Sequence, residues 1–442
     1  MSGRCAWLRA ASSRLRAILM LASVASVASV ASTAGASPTP PADGDAVREA
    51  MIGRPLAAWS EGELDIHHIH TGRGDALLFV FPDGTSLLED ASGRTAERPP
   101  FSFPTRPDAS RPPGEWVARY VRRALPRGAA GLDYALLSHF HGDHMGVVDA
   151  QSPASRLGGD YRLSGITHVA ELLPIARLID RGWPEYDTPR RLDTSTMRNY
   201  RRFVDWQVRH RGLVMERFQP GHNDQIRLLH KPAAYPRFEV RNLYANGELW
   251  TGAGSGTRRL VPPFDEGAGP HLTENKLSIA FRLRYGRFDY FSGGDLSSID
   301  EETSADPPAW LDVETPVAQA SGPVDVLKAN HHGSWDANSV PFLAALRPRV
   351  IVVTARADGH PAVNTYRRMT STRIWPGARD IFITHLSAAT ATTTYGSTEA
   401  AGTQGHVVVR VAPGGGTYRV FMLDDSDESM RVRSVHGPYA SR

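Results

Sequence analysis

The sequence predicts an α/β fold whose strands end in polar turns. Three observations point that way. Apolar runs of strand length recur between glycine and proline turns, other segments carry apolar residues at helical spacing, and a turn rich in histidine and aspartate directly follows one buried strand. With 442 residues, 41% hydrophobic and 22% charged, the chain is ordinary for a globular enzyme and ample for a large core in one or two domains.

The amino terminus stands apart. Arg4, Arg9, Arg14 and Arg16 precede the apolar run Ala17–Ala31, and Ala34-Gly35-Ala36 offers small residues for cleavage, so residues 1–36 are expected to be a signal peptide and the protein to be exported, periplasmic or extracellular. Losing that segment removes four arginines and no acid, taking the formal charge from +3 to −1. A near-neutral mature chain lacks the electrostatic footprint of a polyanion binder, and no stable nucleic-acid partner is expected. The apolar run is short for a spanning helix, so no membrane partner is expected unless the leader stays uncleaved. Cys5, the single cysteine, lies in the leader and leaves the mature chain without disulfides. Pro38, Pro40, Pro41 and Gly44 mark a linker over 37–62, ahead of a domain over 63–425.

That domain opens with strand-like Leu64–His70 and Ala76–Phe81, joined by Thr71-Gly72-Arg73-Gly74-Asp75, and the turn Pro82-Asp83-Gly84-Thr85 leads into a third strand over Ser86–Asp90. After a Pro/Arg-rich loop, Gly114–Leu125 places Trp116, Val117, Tyr120 and Val121 on one helical face, and Pro126 stops it. Residues from about 150 to 264 read as an insertion over the site, with helices expected at Ile166–Arg181 and Thr196–Arg211 and a flexible loop at Gly252–Gly256. Strands return at Leu277–Tyr285 and Phe288–Ser292, ending at Gly293-Gly294-Asp295. A helix near Pro341–Leu346, a strand over Val350–Thr354 and closing strands within Gly405–Leu423 follow, and residues 426–442 read as a frayed polar tail.

Chemistry concentrates in Ser138–Gly146, whose side chains spell His139-x-His141-x-Asp143-His144 after the apolar Tyr134–Leu137. A turning segment can send His139 and His141 to one side and Asp143 and His144 to another, so one loop could supply half the ligands of two adjacent cations. Imidazole and carboxylate without thiolate suit zinc best, with manganese or iron as alternatives. A lone histidine at a strand end is usually a surface or hydrogen-bonded residue. Three with an aspartate, straight after a buried strand, are hard to explain that way.

This motif resembles the signature of the metallo-β-lactamase-fold hydrolases. Gly72-x-Gly74-Asp75-Ala76, Asn275-x-x-Ser278 and Leu327-Lys328-x-x-His331-His332-Gly333-Ser334 are similar to the hydrolase domain of bacterial competence (DNA-uptake) channel proteins and their secreted stand-alone relatives. The likeness covers about two thirds of the mature chain and is specific for superfamily, weak for substrate. It implies a four-layer αβ/βα sandwich and a metal-dependent hydrolase that uses two divalent cations, zinc foremost, to activate water. His139 and His141 are then implied as ligands of one cation, Asp143, His144 and His331 of the other, and Asp295 of both. Asp143 orients the water, and His332 or His360 stands near the scissile group. A further ligand, which many competence-type relatives lack altogether, would fall to His222 or His168, and His385 has the same strand-then-histidine shape as His331. Lys328 and Ser334 either hold a phosphate or serve structurally. The expected substrate is a small-molecule or polymer ester, a phosphoester or phosphodiester first, with lactone or β-lactam cleavage as the alternative. Of another class is a non-catalytic binder presenting Arg201, Arg202, Arg209 and Arg211 to DNA or an envelope polymer.

Overall fold

The strand-length runs assemble into two sheets. The computed structural model describes residues 43–93, 101–189, 191–263, 272–298, 307–394 and 400–442; the leader expected over 1–36 lies outside them. The first sheet takes β1 (Leu64–His68), β2 (Leu77–Val80), β3 (Ser86–Glu89), β4 (Leu132–Leu136), β5 (Ile175–Asp180) and β6 (Val214–Arg217). The second takes β7 (Phe238–Ala245), β8 (Glu248–Trp250), β9 (Thr257–Arg259), β10 (Ala280–Tyr285), β11 (Phe288–Ser292), β12 (Val326–Lys328), β13 (Val350–Val353) and β14 (Asp380–Ile383). The chain then returns to the first sheet with β15 (His406–Val411), β16 (Thr417–Leu423) and β17 (Val432–Ala440), giving the orders β17-β16-β15-β1-β2-β3-β4-β5-β6 and β14-β13-β12-β11-β10-β7-β8-β9.

Phe79, Leu87 and Tyr134 of the first sheet meet Phe281, Tyr290 and Val350 of the second in one core, with Phe79 edge-on to Phe281 and Tyr290 at 5.9 and 5.6 Å. Each fully buried side chain of this size contributes roughly 2 to 3 kcal/mol of apolar transfer. Besides the short α1 (Asp43–Met51) and α3 (Gly142–Met145), helices cover the outer faces. Those on the first sheet are α2 (Pro113–Ala124), α4 (Ile166–Leu172) and α5 (Ser195–Arg211). Those on the second are α6 (Glu314–Ser321), α7 (Val340–Leu346) and α8 (Val363–Thr370), with α9 (Ala388–Thr394) following β14. Helix, sheet, sheet and helix make the four-layer αβ/βα sandwich.

Helix α2 begins with Pro113, where a missing N–H is harmless, and buries Trp116, Val117, Tyr120 and Val121. Helix α5 is capped by Thr194, which accepts a hydrogen bond from the Met197 N–H, and stops at Gly212 in the left-handed region.

Three expectations are corrected. Residues 150–264 are not an insertion: α4, β5, α5 and β6 extend the first sheet in parallel, and β7, β8 and β9 extend the second, because their apolar runs find strand partners. The helix expected over Ile166–Arg181 splits at Pro174. Proline keeps Leu173 extended, and the Ile-rich continuation pairs as β5. The described parts of the expected linker and tail are also ordered. Within the supposed linker, Gly53 and Leu56 donate backbone hydrogen bonds to Val432 and Met430, and the supposed tail forms β17, whose Val432, Val435 and Tyr439 are buried. The Gly252–Gly256 segment closes the β8–β9 hairpin, Thr251 N donating to Gly256 O.

Strands β3 to β6 run parallel, as do β11 to β14. Their carboxyl ends carry the polar turns, the usual place for a site in such sheets.

Candidate metal centre

Four chain segments at these strand ends converge. After β4 come His139, His141, Asp143 and His144; after β11 comes Asp295; after β12 come His331 and His332; after β13 comes Arg356. Three sets of donor atoms form among the described residues, each atom within 4.8 Å of the others in its set: Asp143, His144, Asp295 and His332 in one, His139, His141 and Asp295 in the second, and Asp75, Asp90 and His144 in the third. In the third, Lys328 pairs with Asp75 and Asp90 bonds the outer nitrogen of His144; the first two concern the centre. Asp295 belongs to both. Its Oδ2 lies 3.1 Å from His144 Nε2, 3.5 Å from His332 Nε2 and 3.8 Å from His139 Nε2.

The orientation of the imidazoles tests whether a cation fits. His139 Nδ1 lies on Ser138 Oγ (3.1 Å), His144 Nδ1 on Asp90 Oδ2 (2.8 Å) and His332 Nδ1 on the Thr354 carbonyl (3.0 Å). Each ring thus has its outer nitrogen occupied, while the inner Nε2 is buried without a hydrogen-bond partner, as is Asp295 Oδ1. Buried polar atoms without partners cost about 1 to 3 kcal/mol apiece, so a convergent set of them fits a bound cation and little else. The buried His/Asp cluster therefore fits a dinuclear metal site, with outer partners that fix the ring orientation as metal sites require.

The electrostatics agree. Burial and the neighbouring His144 hold His139 well below its usual range, and burial lowers His141, so both are neutral donors. Burial works against charge on His144 and His332, yet Asp295 with Asp90 lifts the first well above its usual value, and Asp295 with Asp75 lifts the second to about 10. Protons there stand where cations would neutralise the same carboxylates. Asp143 and Asp295, although burial opposes it, are held ionised well below the normal carboxylate range, by Arg356 and His332 in one case and His144 and His332 in the other.

The loop geometry is built in. A Cβ at Gly74 would sit 1.8 Å from the carbonyl of Asp143, and Asp75 N donates to that same oxygen (3.0 Å), so the Gly-x-Gly-Asp turn presses on the metal loop. His331, His332 and Gly333 are all left-handed, with φ of +47°, +55° and +77°. Two imidazoles in that region cost of order 1–3 kcal/mol each, strain that aims His332 inward.

The late histidines differ from the sequence-based assignment. His332, not His331, joins the donor set; His331 has both nitrogens engaged, Nδ1 with Asp336 (2.7 Å) and Nε2 with the Asn275 amide (3.2 Å), and stands 3.9 Å from Asp295. His360 stacks on His332 at 5.3 Å with its Nδ1 free of hydrogen bonds. The other candidates lie elsewhere. His222 is exposed beside Asp224, His168 on α4 faces Glu115, and His385 bonds Gln404 and stacks on His70. Lys328 is buried, with Nζ 2.7 Å from Asp75, an ion pair beneath the centre. Ser334, also buried, accepts through its carbonyl from Thr365.

Sequence reasoning missed several supports. Asp90 receives Ser138 N–H and O–H as well as His144, from a left-handed position at the end of β3. Glu274 accepts the Phe140 N–H (2.9 Å), between two ligands, and a two-pronged contact from buried Arg181 (2.7 and 2.5 Å), whose guanidinium lies 4.5 Å from the Phe140 ring. Arg356 pairs with Asp143. Asp90 could have been noticed as an acid ending a buried strand; Glu274, Arg181 and Arg356 carry no local signal.

No family model and no curated protein matches the chain. Solved structures with partial likeness include a variant of the CmlA β-hydroxylase, at 14% identity and a TM-score of 0.37 over 74% of this chain and 53% of that one. A motif variant of a metallo-β-lactamase from Cronobacter sakazakii gives 14%, 0.29, 62% and 78%, and the short form of human tRNase Z gives 10%, 0.30, 65% and 91%. The chain spans about half the length of the first.

Proposed function

We propose that the protein is an exported hydrolase that uses a dinuclear metal centre to activate water, acting on a phosphoester or phosphodiester. The observation that carries this reading is the pair of donor sets sharing Asp295. Two divalent cations held there would make water nucleophilic near neutral pH and offset charge building on the substrate. His139 and His141 would hold one, Asp143, His144 and His332 the other, and Asp295, common to both sets, would serve each. Asp143 would also orient the attacking water. His360, kept neutral by burial and by the nearby His332 and Arg356, offers a ring nitrogen to the leaving oxygen. Zinc suits this donor set, and the preference for phosphoesters over cyclic acyl bonds rests on the sequence resemblance to competence-type hydrolases and on no side chain of the centre.

The binding-protein alternative is weakened by its own patch, since Arg201, Arg202 and Arg209 face Asp187, Asp160 and Asp205. Purified protein, stripped and reloaded with zinc, manganese or iron, should retain about two cations and cleave bis-p-nitrophenyl phosphate. Turnover of a chromogenic cephalosporin or a homoserine lactone alone would move the reading to acyl bonds, and failure to retain any cation would end it.

A further inference from the structure

Most cations around the centre are committed inside the protein. Lys328 Nζ bonds Asp75 and the Gly294 carbonyl, Arg181 bonds Glu274 and Asn246, and Lys276 Nζ is ringed by Ser297 and the carbonyls of Ser298 and Leu311. Arg356 is different. It follows β13, its Nε meets Asp143 Oδ2, its Nη1 donates to the Phe101 carbonyl (3.2 Å), and among the described residues no hydrogen bond engages Nη2. The side chain is 16% exposed, so the guanidinium touches a member of the metal-donor set while one edge stays open. Phe101, whose backbone carbonyl anchors the guanidinium, has an exposed ring.

A buried counter-charge for Asp143 would need no open edge and no anchoring carbonyl. A planar, permanently charged fork held at a defined angle is instead what grips an anionic oxygen. We propose that Arg356 determines specificity at this centre, receiving a negatively charged non-bridging oxygen of a phosphodiester seated beside Asp143 and selecting anionic esters over neutral ones. This rests on the hydrolase reading above.

The test uses the full zinc-loaded protein, with inorganic phosphate as calorimetric probe and bis-p-nitrophenyl phosphate against p-nitrophenyl acetate as the anionic and neutral substrates. Arg356→Gln should keep its metal, bind phosphate about tenfold or more weakly, and lower the ratio of the two kcat/KM values by a similar factor, loss of a charged hydrogen bond being of that size. Arg356→Lys should recover part of the phosphate affinity. Phosphate affinity and selectivity both within about twofold of wild type, in a metal-loaded Arg356→Gln protein, overturn the proposal. Equal loss of metal from both variants also overturns it, in favour of a purely structural pairing with Asp143. Absence of wild-type turnover on either substrate would count against the hydrolase reading, and the phosphate titration would still decide the role of Arg356.

Discussion

Two histidine clusters occupy this molecule, and their difference is instructive. At the strand ends, His139, His144 and His332 turn unpartnered Nε2 atoms toward one carboxylate. Along β1, just beyond its end and on β15, His67, His68, His70 and His406 are equally buried, but they bond within the fold: His67 to Tyr120, His68 to Tyr290 and the Val407 carbonyl, His70 to Asp425, and His406 to the His70 N–H. His67 and His70 keep one free nitrogen each, yet no set of three donors forms around them among the described residues. Histidine density and burial therefore do not identify a metal site. Convergence of free lone pairs on a shared acid does.

The largest effect should separate the clusters outright. Asp295→Ala or His141→Ala should lower turnover by about a thousandfold or more, with loss of cation content and a native circular-dichroism spectrum. Beside it, His70→Asn should leave metal stoichiometry unchanged. A loss of cation from the His70 variant would erase the distinction.

Next is the ion pair beneath the centre. Lys328→Met leaves Asp75 buried beside Glu89, whose own carboxyl is pushed up to about 8 by burial, with the Asp90 charge adding to it. Denaturant unfolding should show a loss of about 3–5 kcal/mol. A near-neutral result would mean that Lys328 is free for ligands after all.

A smaller effect should come from Glu274→Gln, which removes the charge facing Arg181 and loosens Phe140 between its two ligand neighbours. Cation affinity should fall about 10- to 100-fold, as for other outer partners of metal ligands. Competition with a chromophoric chelator measures it, and an unchanged constant would reduce the Arg181–Glu274 pair to inter-sheet packing.

The smallest is a pH slope in the second cluster. Burial lowers His68 and His406 to about 3, so below the unfolded value near 6.5 only the unfolded chain takes up these protons. Their stability contribution is whole above about pH 6.5 and drains as pH falls toward 3, by about 1.4 kcal/mol per pH unit per histidine. Unfolding free energies at pH 7 and 5 should show His68→Gln with a flatter loss than wild type.

How far the chain could be read follows from the range of the interactions. Strands β1 to β4, helix α2, and β10 and β11 follow local periodicity and turns, and the His139–His144 turn announces its chemistry within six positions of sequence. The choice between His331 and His332 was not local, because it depends on which ring Asn275 and Asp336 occupy and which one the left-handed turn points inward. The same holds for the middle region. Its runs became strands only because β4 and β10 offered open edges, and Pro174 alone gave warning.

The sequence by itself determined the α/β class, the ligand-bearing turns and the kinds of donor, since pattern and side-chain chemistry are properties of neighbouring residues. Tertiary structure decided which histidine enters, which acids hold the rings, and that Arg356 and Glu274 reach the centre at all. Those outcomes depend on distances between strand ends far apart in the chain, set by the packing of two sheets.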